Sequence, residues 1–325
     1  MINIHVICIT LFTLVLIYDY NCPVSEVARI QDPQFSLLGP YNESVIQTKD
    51  DYKKLIDINN FTFTRNPNPC RKYPAGFLLL VIVSSNPVNF EKRTIIRNTW
   101  GKTIDSTIVV FLIGDTQNDT INLRISHENV VHGDIVQGTF KDAYRNMTYK
   151  HVMGLKWVAH HCPMAKYILK TDDDVVVHSN EMRRFLAKEL SPWGARGLIA
   201  CPVLKRAPVQ RVESSKWKVT ADEYDSDYFP TYCAGWVVLY SPDVVFRLLE
   251  VAQESPYFWI DDVHITGFMA EKIGVPRTSI NSLILSMSRV HILKNLGPKY
   301  IGSFLYGPQD LTATQMMDIW KAIPK

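Results

Sequence analysis

Residues 167–177 read YILKTDDDVVV: a short apolar run meets three consecutive carboxylates and passes into a second apolar run. Tyr167–Leu169 reads as a strand, and Asp172, Asp173 and Asp174 then stand at its carboxyl end. Three adjacent carboxylates repel one another. They persist at such a place only if water solvates them or something positive compensates them. A bare acidic triplet is often a solvated turn, but the apolar residues on both sides argue against that account. A divalent cation answers the charge. Oxygen ligands suit Mg²⁺ or Mn²⁺, which keeps few carboxylates and takes other ligands from substrate phosphates.

Upstream, FLLLVIVS at 77–84 is a continuous branched apolar run, the mark of a strand covered on both faces. FEKRTIIRNTW at 90–100 reads as a helix with Phe90, Ile95 and Ile96 inward, and TIVVFLI at 107–113 as a second buried strand closed by Gly114-Asp115. Helices are expected over 119–128 and from about Phe140 to His161, and a fourth strand over 198–203. Strands alternating with helices predict an α/β domain with a mostly parallel central sheet flanked by helices. Such sheets bind ligands beyond the carboxyl ends of their strands, where the acidic triplet sits.

Downstream, Trp259-Ile-Asp-Asp-Val263 opens a helix expected to run through Lys272. Acids there either cap the helix and favour its dipole, or aim a general base at a substrate hydroxyl. Arg93 and Arg97, four apart, share a helix face open to a nucleotide's phosphates or to structural acids. In FPTYCAGWVVLYS at 229–241, Gly235 lies among aromatics, which suggests close backbone approach or a bulge. His160-His161-Cys162 has no matching ligand pair at a metal-site spacing, and no GxSxG elbow supports a serine nucleophile.

The 325 residues carry a net charge of only +3 and no run of five like charges, so nothing argues for nucleic acid. Residues 1–18 lack Asp, Glu, Lys and Arg, and Ile4–Tyr18 is apolar. That segment is either a signal-peptide core or an uncleaved anchor, and both send the rest of the chain into the secretory lumen. Sequons at Asn42, Asn60, Asn118 and Asn146 fit that compartment. Five cysteines follow Cys8, enough for one or two disulfides with one thiol left over. The proline-dotted stretch after the apolar segment reads as a stalk. The expected organisation is thus an anchor or signal over 1–18, a stem over 19–72 and a folded body over 73–325.

In chain order, RTIIRNTW (93–100), DIVQGTFKDAYRNMTYK (134–150), KTDDDVVV (170–177), FPTYCAGWVVLYS (229–241) and IDDV (260–263) carry a resemblance. They resemble the β-1,3-galactosyltransferase-like family of Golgi glycosyltransferases, which includes β-1,3-N-acetylglucosaminyltransferases and the fringe proteins. The resemblance implies a GT-A type nucleotide-sugar-binding domain and a single-pass type II Golgi membrane protein with a lumenal catalytic domain. It implies an inverting reaction that moves a hexose from a UDP-sugar, normally with Mn²⁺, to an acceptor glycan of a glycoprotein or glycolipid. Galactose is the first guess and N-acetylglucosamine the next. It also leaves room for association with itself or with other glycosyltransferases.

By the same resemblance Asp174 is the expected metal ligand, with Asp172 beside it. Asp172 and Asp173 are expected to support the metal or the donor, and Asp262, then Asp261, is the expected base. Arg97, Asp115 and Gly235 are expected near the nucleotide. Three departures stand out. Gly138-Thr139 stands where the family has an acid before Phe140. Trp236 replaces a small or polar residue. The family's C-terminal metal-binding His has no obvious counterpart; Tyr306 and Gln309 lie in that region, with His291 upstream. The missing His and the Gly138-Thr139 change motivate the alternative, a non-catalytic carbohydrate-binding or chaperone protein that keeps the fold.

Overall fold

Branched runs that are apolar on both faces must be covered from both sides, and this chain supplies helices for each side. A computed structural model of the chain describes residues 34–39, 49–102 and 106–324. Its main sheet has eight strands: β1 Phe63–Arg65, β2 Phe77–Ser84, β3 Thr107–Asp115, β4 Ile135–Lys141, β5 Ala165–Asp172, β6 Ile199–Cys201, β7 Val237–Tyr240 and β8 Thr278–Ser279. The spatial order is β8-β6-β7-β5-β2-β3-β4-β1. The four strands β5, β2, β3 and β4 run parallel and form the apolar centre. β7 is antiparallel to both neighbours, β1 is antiparallel to β4, and β8 is parallel to β6.

Strand alternation sorts β2 between two cores. Leu80 and Ile82 share a cluster with Trp157 of α3 (Met147–His161) and Leu248 of α4 (Pro242–Gln253). Leu79, Val81 and Val83 share the other with Ile96 of a helix over Phe90–Asn98 and with Leu293 and Ile319 of helices over Met287–Leu296 and Ala313–Ala322. Each such fully buried Leu or Ile contributes roughly 1.5–3 kcal/mol. Cys70–Cys162 and Cys201–Cys233 are disulfide-bonded.

β5 lies between parallel β2 and antiparallel β7, so strand direction switches beside its carboxyl end. Backbone bonds stitch the acidic triplet to both neighbours. Asp173 N–H donates to the Ser84 carbonyl at 3.1 Å, and Asp172 N–H to that of Trp236 at 3.2 Å.

Three expectations need correction. The stem expected over 19–72 does not hold for 50–72. Leu55 and Phe61 are fully buried, and β1 forms the edge of the main sheet. The Asp50 carboxylate pairs with buried Lys156 and accepts bonds from His160 Nε2 at 2.8 Å and Gln253 Nε2 at 2.6 Å. Scattered prolines hid single apolar anchors that have no period of their own. The helix expected from Phe140 starts at Met147, because IVQGTFK at 135–141 is the strand β4. The helix expected over 119–128 runs on to His132.

Gly138 also has a steric reason: a Cβ there would lie 2.8 Å from the Phe61 ring and 2.7 Å from the Met153 sulfur. His160-His161-Cys162 is fully engaged elsewhere, in the Asp50 pair, in bonds to Tyr52 and Asn66, and in a disulfide. The apolar segment 1–18, Cys22 and the Asn42 sequon lie outside the described residues. Among the described residues no helix is long and apolar enough to cross a membrane.

Candidate active site

A strand's two-residue period puts Lys170 and Asp172 on one face of β5. Both line a cavity of about 490 Å³ beyond the sheet's carboxyl edge, together with Asp174, Asp261, Asp262 and Gly235. Asp173 turns the other way. Its Oδ2 accepts from Ser85 Oγ at 2.7 Å, Asn89 Nδ2 at 2.9 Å and Asn86 N–H at 3.2 Å, and the residue is 5% exposed. The expectation that Asp173 supports the donor is therefore corrected: it ties β5 to the loop that follows β2.

Lys170 is 1% exposed and sits at the centre of the charge arrangement. Its Nζ donates to Asp172 Oδ1 at 2.7 Å and to the Gly235 carbonyl at 2.6 Å, and lies 4.0 Å from Asp261 Oδ2. A buried ammonium holds its charge only when so surrounded. Burial raises the Asp172 carboxyl despite Lys170. At Asp174 burial first, then the charge on Asp172, pushes the carboxyl up to about 6. Lys92 Nζ stands 3.7 Å from Asp174.

The second acid pair divides sharply. Burial alone would raise Asp261, but Lys170 and a hydrogen bond from His151 Nδ1 at 2.9 Å draw it below the usual carboxylate range. Asp262 moves the opposite way. Burial and the neighbouring Asp261 charge raise it well above that range, and two backbone donors, Val263 N–H at 2.8 Å and Gly235 N–H at 3.2 Å, only partly offset them. Asp262 is thus the acid of the pair whose environment suits proton exchange near neutral pH.

Gly235 makes its close approach to this side chain. A Cβ on Gly235 would lie 2.9 Å from Asp262 Cβ and 3.3 Å from Oδ2. Gly235→Ala is expected to displace the Asp262 carboxylate and lower kcat by on the order of 10²-fold. Steady-state kinetics alongside a thermal melt checks this; undiminished kcat would refute it.

Arg97 and Asp115 do not reach the cavity. The Arg97 guanidinium forks onto Asp134 at 2.7 and 2.8 Å and reaches Glu128 at 2.7 Å. Buried Arg93 joins it on Glu128. Both arginines thus serve structural acids 31–37 residues downstream. Arg97→Ala is expected to lower stability by about 3 kcal/mol, because Asp134 loses its guanidinium partner and Glu128 keeps only Arg93. Urea unfolding measures that loss, and the nucleotide KM should not move. Asp115 accepts from Asn122 Nδ2 at 3.0 Å and Gln117 N–H at 3.3 Å, fastening the turn that ends β3.

Of the C-terminal candidates, Gln309 lines the cavity with its neighbour Asp310, Tyr306 is fully buried, and His291 bonds Asn295 at the surface. Asn60 and Asn118 are exposed, while Asn146 is half-buried and donates to the Lys141 carbonyl at 2.9 Å. Trp236 lines the cavity, and so do Tyr144, Trp217 and Trp259. Apolar ring faces of this kind suit the C–H faces of a sugar.

Sequence reading did not single out His151, Trp217 or Asp310, and gave Lys170 no role. Only Lys170 left a signal: it stands two residues before Asp172, hence on the same strand face. Among the described residues no three acid, His or Cys side chains converge tightly enough to hold a metal alone. Asp172 and Asp174 offer two hard oxygen donors on the cavity side, the partial set that Mg²⁺ or Mn²⁺ completes with phosphate oxygens and water. The residues fit such a cation on those terms.

The galactosyltransferase family profile matches residues 91–281. Beta-1,3-galactosyltransferase 5 of Gorilla gorilla gorilla is 32% identical over 253 residues, 75% of this chain and 79% of that protein. The Homo sapiens protein of the same name is 31% identical over 251 residues, 75% of this chain and 76% of its own. Beta-1,3-galactosyltransferase 1 of Mus musculus is 30% identical over 225 residues, 68% of each chain. Among solved structures, galactosyltransferase LgtC in complex with donor and acceptor sugar analogs overlaps 76% of this chain and 97% of its own. Its identity is 10% and its TM-score 0.37, too loose to bear on the chemistry.

Proposed function

The chain belongs to the galactosyltransferase family, and from that premise we propose that its cavity transfers galactose from UDP-galactose to a glycan hydroxyl, forming a β-1,3 linkage. The observation that carries the proposal is the pairing of two unlike acid sites in one cavity. Asp172 and Asp174 lie at the end of β5, and Asp262, with its raised pKa, lines the same cavity.

The donor's anomeric carbon is α-linked, so a β product needs one in-line displacement. The acceptor oxygen bonds to that carbon as the bond to the diphosphate oxygen breaks, and UDP leaves with the electron pair. Asp262 takes the acceptor's proton, which makes the oxygen a competent nucleophile. Asp261, drawn toward its anion by the Lys170 ammonium, keeps the Asp262 carboxylate basic. Asp172 and Asp174 would hold Mn²⁺ or Mg²⁺, which supplies positive charge for the departing diphosphate. Tyr144 and Trp217, both exposed at the cavity, offer ring surface against which sugar rings can stack.

The proposal extends to a type II membrane protein of the Golgi with this domain in the lumen. Two disulfides and the exposed Asn60 and Asn118 sequons support a secretory compartment. The fold-retaining binder is not favoured, because a retired site has no physical reason to keep raised-pKa carboxylates facing one cavity. The test is incubation of the purified protein with UDP-galactose, Mn²⁺ and a panel of acceptor glycans, with linkage analysis of products. A β-1,3-galactoside is expected. No transfer from any UDP-hexose would overturn the proposal.

A further inference from the structure

Behind the acid pair, the cavity floor continues into a buried polar chain that the reaction above does not use. His151, on α3, is 1% exposed. Its Nδ1 lies 2.9 Å from Asp261 Oδ2, and its Nε2 lies 3.2 Å from the Tyr240 hydroxyl on β7. A carboxylate only accepts, so Nδ1 must carry the proton. Nε2 is then a lone pair that accepts from the Tyr240 O–H. Burial, the largest influence on each group, favours this neutral pattern: it lowers His151 and raises Tyr240 well above the ordinary phenol. Every polar atom in the chain is satisfied in only this one arrangement.

We propose that His151 is a positioning residue for the transfer: by donating from Nδ1 it fixes Asp261 in place as a permanent anion and so reserves proton acceptance for Asp262. The inference rests on the function proposed above and names a residue on which that function depends. Two adjacent carboxyls in one pocket could otherwise trade roles, with either taking a proton and turning to share it with its neighbour. The asymmetry comes from unequal partners. Asp261 has the His151 donor and the Lys170 ammonium, whereas Asp262 has backbone N–H donors alone. Tyr240 acts one step further back, by fixing the His151 tautomer.

Two variants separate positioning from packing. His151→Leu removes the donor, and His151→Asn keeps an N–H near the place of Nδ1. Both lose the acceptor for Tyr240, so that loss does not distinguish them. His151→Leu is expected to lower kcat by on the order of 10- to 100-fold, the worth of a hydrogen bond to a charged group, with the KM values for UDP-galactose and acceptor unchanged. His151→Asn should recover most of that loss. Equal loss in both variants, or none in His151→Leu, would overturn the proposal. Nitrogen NMR of histidine-labelled wild-type protein tests it without any turnover: Nδ1 of His151 should be protonated, and a bare Nδ1 would overturn it. A wild type that transfers no hexose would instead sink the proposed function and leave the tautomer measurement decisive here.

Discussion

Asp262→Asn is expected to lower kcat by on the order of 10³-fold, within the range for loss of a general base. UDP affinity should stay the same, because the carboxylates that would hold the metal are Asp172 and Asp174, which the substitution leaves untouched. The amide keeps the shape, but its single oxygen accepts from only one of the two backbone donors, Val263 N–H or Gly235 N–H, so a thermal melt run beside the kinetics checks that the fold is intact. The pH dependence gives the same residue a second signature. A base works only when unprotonated, and burial beside Asp261 raises the Asp262 pKa. Activity at saturating donor should therefore be present at high pH and fall away with acid, at a midpoint at least about one unit above the ordinary carboxylate value near 4. Wild-type activity that holds flat down to that ordinary value would refute the assignment, as would an Asn variant with intact turnover.

Asp174→Asn carries the second large effect, and it should pull function and stability in opposite directions. Removing one of two hard oxygen donors is expected to weaken Mn²⁺-dependent UDP binding by on the order of 10²-fold, read by calorimetry with and without the metal. Stability should move the other way in metal-free buffer. The Asp174 carboxyl is raised to about 6 by burial and by Asp172, so its ionised form is disfavoured in the fold relative to the unfolded chain. That penalty is fully present above pH 6 and vanishes below the unfolded value near 3.8. The variant should thus melt higher than wild type at pH 8 and no higher at pH 3. A lower melting temperature at pH 8 would show that Asp174 serves the fold rather than the ligand.

The central sheet was legible because its strands announce themselves locally. FLLLVIVS and TIVVFLI are apolar at every position, and only a strand covered on both faces tolerates that pattern. The acidic triplet was legible as a strand terminus for the same reason. Its division of labour was not read, although the two-residue period contained it: Asp172 shares a face with Lys170, and Asp173 must face away. Arg97 misled because its partners, Glu128 and Asp134, lie on a different element, and no local pattern distinguishes an arginine that meets phosphate from one that meets carboxylate. β4 was missed because Gly138 and Thr139 interrupt its apolar pattern, and Gly138 is there for Phe61 and Met153, which lie far off in sequence. His151 lay inside a helix whose other residues are core, and nothing short of the fold brings it to Asp261.

The interleaving of residues 50–72 with the body has a consequence for where the chain can be cut and still work. A cut inside that stretch would strip the rim of the sheet, strand a positive charge at Lys156 in the interior, and leave the first disulfide holding a loose flap. A shortened form in working order must therefore begin ahead of Asp50, and the amino-terminal residue of active fragments from limited proteolysis would reveal where.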